Sequence, residues 1–196
     1  MKKRMFGRVA ALIAGMLLLQ TSAATAQRFH VVLDYHYNLG FSERYDGEKL
    51  SRGDGYKMHG NSLHLTALYD ITQRISAGAG IGADRYEEPG YNTFPLFGTF
   101  RYRPIRTFLD TYVYTNLGYG VFTREDSIYP GWMWDAGVGY TKMFRKHFGL
   151  NFQVGYNLKE FHGQNFYGID PDSGADYVRK FNSVRHSLSL GVGLVF

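Results

Sequence analysis

The stretch Leu188-Ser189-Leu190-Gly191-Val192-Gly193-Leu194-Val195-Phe196 alternates without a break. Leu188, Leu190, Val192, Leu194 and Phe196 fall on one side. Ser189, Gly191, Gly193 and Val195 fall on the other, and Val195 is the one large residue there. A β-strand has a side-chain period of two, so the first set forms a continuous apolar face. The second face is too small and polar to be the greasy side of a core. Lipid is the simplest solvent for the first face, which predicts a transmembrane β-barrel strand.

Seven more segments repeat this pattern. Phe29–Phe41 sets Phe29, Val31, Leu33, Tyr35, Tyr37, Leu39 and Phe41 against His30, Asp34, His36, Asn38 and Gly40. The second, about His59–Tyr69, points Leu63, Leu65, Ala67 and Tyr69 outward and Ser62, His64 and Thr66 inward. Ile75–Arg85 opposes its Ile and Ala residues to Ser76, Gly78, Gly80, Gly82 and Asp84. About Asn92–Tyr102 sets Phe94, Leu96, Phe100 and Tyr102 against Thr99 and Arg101, with Pro95 tolerated near a strand start. Leu109–Val121 turns Val113, Leu117, Tyr119 and Val121 outward, and Tyr112, Tyr114, Asn116, Gly118 and Gly120 inward. Trp132–Thr141 opposes Trp132, Trp134, Ala136, Val138 and Tyr140 to Asp135, Gly137 and Gly139. Phe148–Lys159 is the cleanest, its Phe, Leu, Val and Tyr residues facing Asn151, Gln153, Asn157 and Lys159. The eighth runs from about Val184 to Phe196. Strands of about ten residues suit a tilted span of the hydrocarbon layer.

Short connections near Asp70–Arg74, Arg103–Thr107 and Met143–His147 alternate with mostly longer ones at Ser42–Met58, Glu87–Tyr91, Thr123–Gly131 and Glu160–Asn182. Short periplasmic turns and long external loops are the pattern of outer-membrane barrels. Phe29, Tyr69, Tyr102, Phe108, Tyr140, Phe148 and Phe196 then mark the periplasmic interface. Tyr37, Phe41, Phe94, Tyr119, Trp132, Trp134 and Tyr156 mark the external one. The fold class expected is all-β, an eight-stranded antiparallel transmembrane β-barrel. A soluble lipocalin-like barrel would put polar residues outside, the reverse of the last two segments.

The N-terminus supports export. Lys2, Lys3, Arg4 and Arg8 precede an apolar run from Val9 to Leu19, and Ala24-Thr25-Ala26 is an A-x-A cleavage site. Residues 1–26 read as a signal peptide and 27–196 as the barrel domain. The run is shorter than the ~20 residues a spanning helix needs. The chain carries 22 basic and 17 acidic residues. Four of the basic ones lie in the leader, which leaves 18 against 17 and no electrostatic case for nucleic acid. There is no Cys, so neither a disulfide framework nor a lipid-anchored N-terminus is expected.

With its leader, eight dyad-repeat strands and terminal Phe196, the chain resembles the small eight-stranded outer-membrane barrels of the OmpA transmembrane domain and OmpX type. The resemblance covers 27–196. It implies location in the outer membrane of a Gram-negative bacterium, contact with outer-membrane lipid and lipopolysaccharide, and recognition of Phe196 by the barrel assembly machinery. It carries no catalytic signature. With no residues after Phe196, cell-wall tethering is not expected.

The inward face gathers His30, Asp34, His36, His64, Asp84, Arg101, Asp135 and Lys159 with Tyr112, Tyr114, Asn116, Asn151, Gln153 and Asn157. An eight-stranded barrel is just wide enough for side chains to fill it, so these residues are expected to form a paired polar plug. Asp34 and Arg101 are the expected ion pair. Gly78-Ala79-Gly80-Ile81-Gly82 is not a phosphate loop, because its glycines alternate within a strand; they are expected to make room for Tyr112 and Tyr114.

Three further motifs are weaker. Arg52-Gly53-Asp54 lies in an external loop and reads as a loop tip rather than an adhesion signal. Asp170, Asp172 and Asp176 could supply oxygen to Ca²⁺, but lack the glycine and distal Glu of an EF-hand, and read as a solvated turn. His186 and Ser187 suggest the serine hydrolases among lipid A-modifying barrels, yet adjacent strand residues face opposite ways and cannot cooperate. No catalytic, cofactor or metal residue is therefore expected. The function expected is a structural or surface-interaction role through external loops. The alternatives are a small-solute porin and a lipid A-modifying enzyme.

Overall fold

The structure is a computed structural model that describes residues 28–53, 56–88, 90–123, 127–145, 148–169 and 174–196. The leader segment lies outside them. All regular structure among the described residues is β: β1 (Phe29–Tyr45), β2 (Glu48–Ser51), β3 (His59–Asp70), β4 (Ile75–Tyr86), β5 (Tyr91–Thr93), β6 (Pro95–Tyr102), β7 (Thr111–Gly120), β8 (Gly131–Arg145), β9 (Phe148–Ile169) and β10 (Asp176–Val195).

Eight of these are staves. β1, β3, β4, β6, β7, β8, β9 and β10 pair antiparallel in chain order, and β10 returns to pair with β1. The seam runs from Val32↔Val195 to Tyr45↔Ser183. Closure leaves the barrel wall without free edges, the costliest feature of an open sheet. The staves fit the expected segments in phase. Along β3, for example, Ser62, His64, Thr66 and Leu68 are buried while Leu63, Ala67 and Tyr69 are exposed.

The wall is apolar outside and polar inside. Leu117, Val138 and Ile81 are 59%, 58% and 57% exposed on its outer face. Asp34, His64, Asp84, Arg101, Asp135 and Lys159 are buried within. A small aliphatic cluster, Val32, Leu68 and Val195, sits inside at the end that carries the short turns.

Four details depart from the sequence reading. Within Glu160–Asn182, the stretches up to Ile169 and from Asp176 are strand rather than loop. β9 and β10 run on beyond the barrel as a two-stranded arm, from Ser183↔Phe161 to Asp176↔Ile169. Its Tyr167, Ile169, Tyr177 and Val178 have the β-branched and aromatic character of strands. Second, Ser42–Met58 begins as a hairpin, Ser42–Tyr45 against Glu48–Ser51. Its turn is Asp46-Gly47, both at positive φ (50° and 86°), the conformation that suits a tight hairpin. Third, the fourth segment breaks at Phe94 into β5 and β6, where Pro95 has no N–H to donate. Fourth, the β4 glycines make room for other side chains than expected. A Cβ on Gly80 would strike the Phe97 ring, and one on Gly82 the His64 ring. Tyr112 and Tyr114 instead sit against Gly139 and Gly155.

Candidate functional site

Polar side chains pack the lumen in three layers. Nearest the short turns, Asn151 joins β9 to β1 and β7. Its amide nitrogen donates to Asp34 Oδ1 at 2.7 Å, and its oxygen accepts from the Tyr112 hydroxyl at 2.5 Å. Gln153 donates to the same hydroxyl at 2.9 Å. The expected Asp34–Arg101 pair is present but long, with Nη2 3.8 Å from Oδ2.

In the middle layer Asp84 is the hub. Lys159 Nζ donates to Oδ2 at 2.9 Å, Thr93 donates to the same oxygen at 3.0 Å, and His64 Nε2 lies 2.9 Å from Oδ1. Lys159 and Asp84 are completely or almost completely buried. A buried charge is tolerable only when paired and hydrogen-bonded, and this arrangement meets both conditions. Beside it, Asp135 accepts from Asn157 at 2.5 Å and from Asn116 at 3.5 Å. His36 stacks near His64, with ring centroids 5.3 Å apart, and contacts Ser189 Oγ at 3.2 Å.

The third layer closes the end opposite the short turns, and the sequence reading did not foresee it. Arg185 is fully buried there. Its Nε and Nη2 donate to Glu43 Oε2 at 2.9 and 2.6 Å. Nη1 donates to the Glu87 carbonyl at 3.1 Å, and Nη2 to that of Glu88 at 2.5 Å. Tyr56 donates to Glu43 at 3.0 Å. Burial, followed by the Glu43 carboxylate, pushes the Tyr56 hydroxyl above its ordinary range, which keeps it a donor. Tyr86, Tyr91 and Phe161 form a buried cluster beside this group, with Tyr129 packed against it.

β-bulges put these groups inside. Phe41 is an extra residue in β1, between Gly40↔Ser187 and Ser42↔His186, so the strand changes phase and Glu43 faces inward opposite Arg185. His162-Gly163 does the same in β9, with Gly163 at φ 75°, and turns Gln164 inward. Gln164 then accepts from Tyr91 at 2.7 Å and donates to Ser183 at 2.6 Å.

The remaining motifs stay apart from this network. His186 lies on the outer side in contact with Tyr156, while Ser187 is buried on the inner side. They form no catalytic pair. Ser189 and His36 meet in the lumen, but no carboxylate hydrogen-bonds to His36 among the described residues. No group of three or more His, Asp or Glu among those residues is placed to hold a metal ion. Asp54 of the Arg52-Gly53-Asp54 motif lies outside the described residues, as do Asp170 and Asp172.

No family model matches the sequence, and no curated protein matches it. Among solved structures the chain is similar to a Pseudomonas aeruginosa FadL homologue at 12% identity and a TM-score of 0.38, covering 86% of this chain and 49% of that one. It is similar to an outer membrane channel from Pseudomonas putida F1 at 12% identity and a TM-score of 0.33, covering 86% and 94%. KdgM porin matches at 12% identity and 0.33, covering 84% and 98%. The chain spans about half the length of the FadL homologue. Likenesses at these values carry no weight here; the closed barrel rests on the strand pairing itself.

Proposed function

We propose that this chain is an outer-membrane barrel of a Gram-negative bacterium, of the OmpA transmembrane domain and OmpX type, with a plugged lumen and a surface-interaction role. One observation carries the reading: a closed wall exposes large apolar residues all round and buries charges inside. Soluble proteins rarely expose a contiguous apolar belt, and lipid is the medium that belt suits. Lipid and lipopolysaccharide are the partners of the belt. The barrel assembly machinery is the proposed reader of Phe196, whose ring packs 6.2 Å from that of Phe148 at the end of the seam.

The interaction surface is the arm of β9 and β10. Beyond Lys159 and Ser183 the neighbouring staves give out, so both edges of the arm are free of further strand pairing among the described residues. Tyr167 and Ile169 are 73% and 69% exposed on it. A two-stranded ribbon is marginal alone, and this one is anchored at its base by Phe161, Gln164 and the Arg179–Asp46 ion pair.

Planar-bilayer recording tests the plug. A plugged barrel gives no steady conductance with or without large inward substitutions. A small-solute porin gives steps that those substitutions abolish, and such steps would overturn this reading. The lipid A-modifying alternative is tested by lipid A mass in cells that overexpress the chain. A changed mass would move the function to the outer wall.

A further inference from the structure

Arg101 is a buried cation with unused donors. Its side chain is 7% exposed on the inner face of β6. A guanidinium presents five N–H donors. Among the described residues none of them makes a hydrogen bond. Nε is buried without a partner. Asp34 comes no closer than 3.8 Å, and its other oxygen is taken by Asn151. Tyr112 offers its ring face, 4.7 Å from the guanidinium carbon. Leaving a buried charged donor unmet is costly, so the site is incomplete without an acceptor.

The space for one is present. Arg101 lines a cavity of about 100 Å³ at the short-turn end, with Leu68 among its apolar walls and His30, Asp70, Arg103 and Asp110 also lining it. One water needs only ~10–15 Å³ of such volume. The acids in the lining are already engaged. Asp70 lies 3.0 Å from His30 and 3.5 Å from Arg103, and Asp110 lies 3.7 Å from Lys142. The counter-ion of Arg101, Asp34, lies 3.8 Å away and outside the lining, so Arg101 is paired only loosely and its Nε is left without an acceptor among the described residues.

We propose that this cavity binds a small oxyanion, a carboxylate or a phosphate, seated on Arg101 with Arg103 beside it. Charge-assisted bonds from a guanidinium suit the paired oxygens of such groups. Asp70 and Asp110 favour a singly charged ion over a dianion, because like charges repel. The site is independent of the arm, and it needs only the barrel.

The test uses the folded ¹⁵N-labelled chain in detergent micelles. Sodium acetate and sodium phosphate are titrated at constant ionic strength, with sodium chloride as reference. The readout is the Arg101 side-chain Nε–H resonance, assigned by its loss in Arg101→Lys. The expected result is a saturable shift with acetate, phosphate or both, and none with chloride. A response to acetate alone assigns a carboxylate, and to phosphate alone a phosphate group. Leu68→Phe fills the cavity and spares both arginines; it should weaken binding on the order of tenfold or more, about 1.4 kcal/mol. If Arg101→Lys does not fold, the resonance is assigned by side-chain correlation in a ¹³C,¹⁵N-labelled sample, and the Leu68→Phe comparison decides. No saturable shift in the parent chain, or one unchanged by Leu68→Phe, would mean an adventitious ion only and overturn the proposal.

Discussion

Glu43 and Arg185 lie 142 residues apart in sequence and directly opposite each other across the β1–β10 seam, both fully buried and joined by two hydrogen bonds. The pair fastens the seam to the loops above it, because the same guanidinium also holds the Glu87 and Glu88 carbonyls. Removing one partner of a buried pair leaves an uncompensated charge, which costs about 3–5 kcal/mol. Arg185→Met is therefore expected to lower stability by that amount in urea unfolding from lipid vesicles. Glu43→Gln combined with Arg185→Met should recover part of the loss, and a purely additive pair would show that the two do not act together.

The lipid-facing phase is tested at mid-stave in β9. Val154 is exposed on the wall and Gln153 is buried behind it. Val154→Arg is expected to cost about 2–4 kcal/mol in bilayer stability. Gln153→Ala removes a hydrogen bond to Tyr112 and should disturb packing without hindering insertion. Reversal of the two effects in vesicle-folding titrations would place the stave one residue out of register.

Gly80 tests the packing of the lumen. Any side chain there meets the Phe97 ring. Gly80→Val should destabilise by about 1–3 kcal/mol through overpacking. Phe97→Leu in the same chain should relieve much of it, read as a non-additive double-mutant cycle in urea.

Trimming the arm separates folding from the proposed surface role. Replacing residues 165–180 with an Asn-Gly turn keeps Phe161 and Gln164, which belong to the closed end of the barrel. Heat-modifiable mobility on gels should persist. Loss of folding would show that the arm belongs to the barrel's stability rather than to its surface.

Phe196 is tested by deletion. Its backbone exchanges hydrogen bonds with Val31, at 2.8 and 3.0 Å, at the foot of the seam. Outer-membrane yield in cells should fall while the purified chain still refolds in detergent. Equal yield would remove the assembly role.

The stave phases were legible because one face of every stave meets a different medium from the other. Leu190 and Gly191 could not exchange places without exposing the wrong chemistry to each. The Asp34–Arg101 neighbourhood was legible for the same reason, although not its spacing. Glu43 and Arg185 were hidden by bulges. One extra residue at Phe41 reverses the alternation on which the reading depends, and nothing in that residue's identity announces it. The arm was hidden by composition: Gly163, Gly168 and the acids near its tip read as loop, yet cross-strand pairing holds the chain extended. The partners of the β4 glycines depended on stave order and tilt, which place Phe97 and His64 nearer than Tyr112.

The seam also bears on how fast the molecule can form. Val32 pairs with Val195, so the contact that completes the cylinder joins residues almost a whole domain apart. Hairpins between successive staves can zip locally, but the last joint has to wait until the final stave finds the first. Bringing such distant segments together carries the largest loop-closure entropy in the molecule. Until then β1 and β10 present two unsatisfied edges, an invitation to aggregate. A slow closing phase, in competition with concentration-dependent aggregation of the open sheet, is the kinetic counterpart of a wall that ends up with no edge at all.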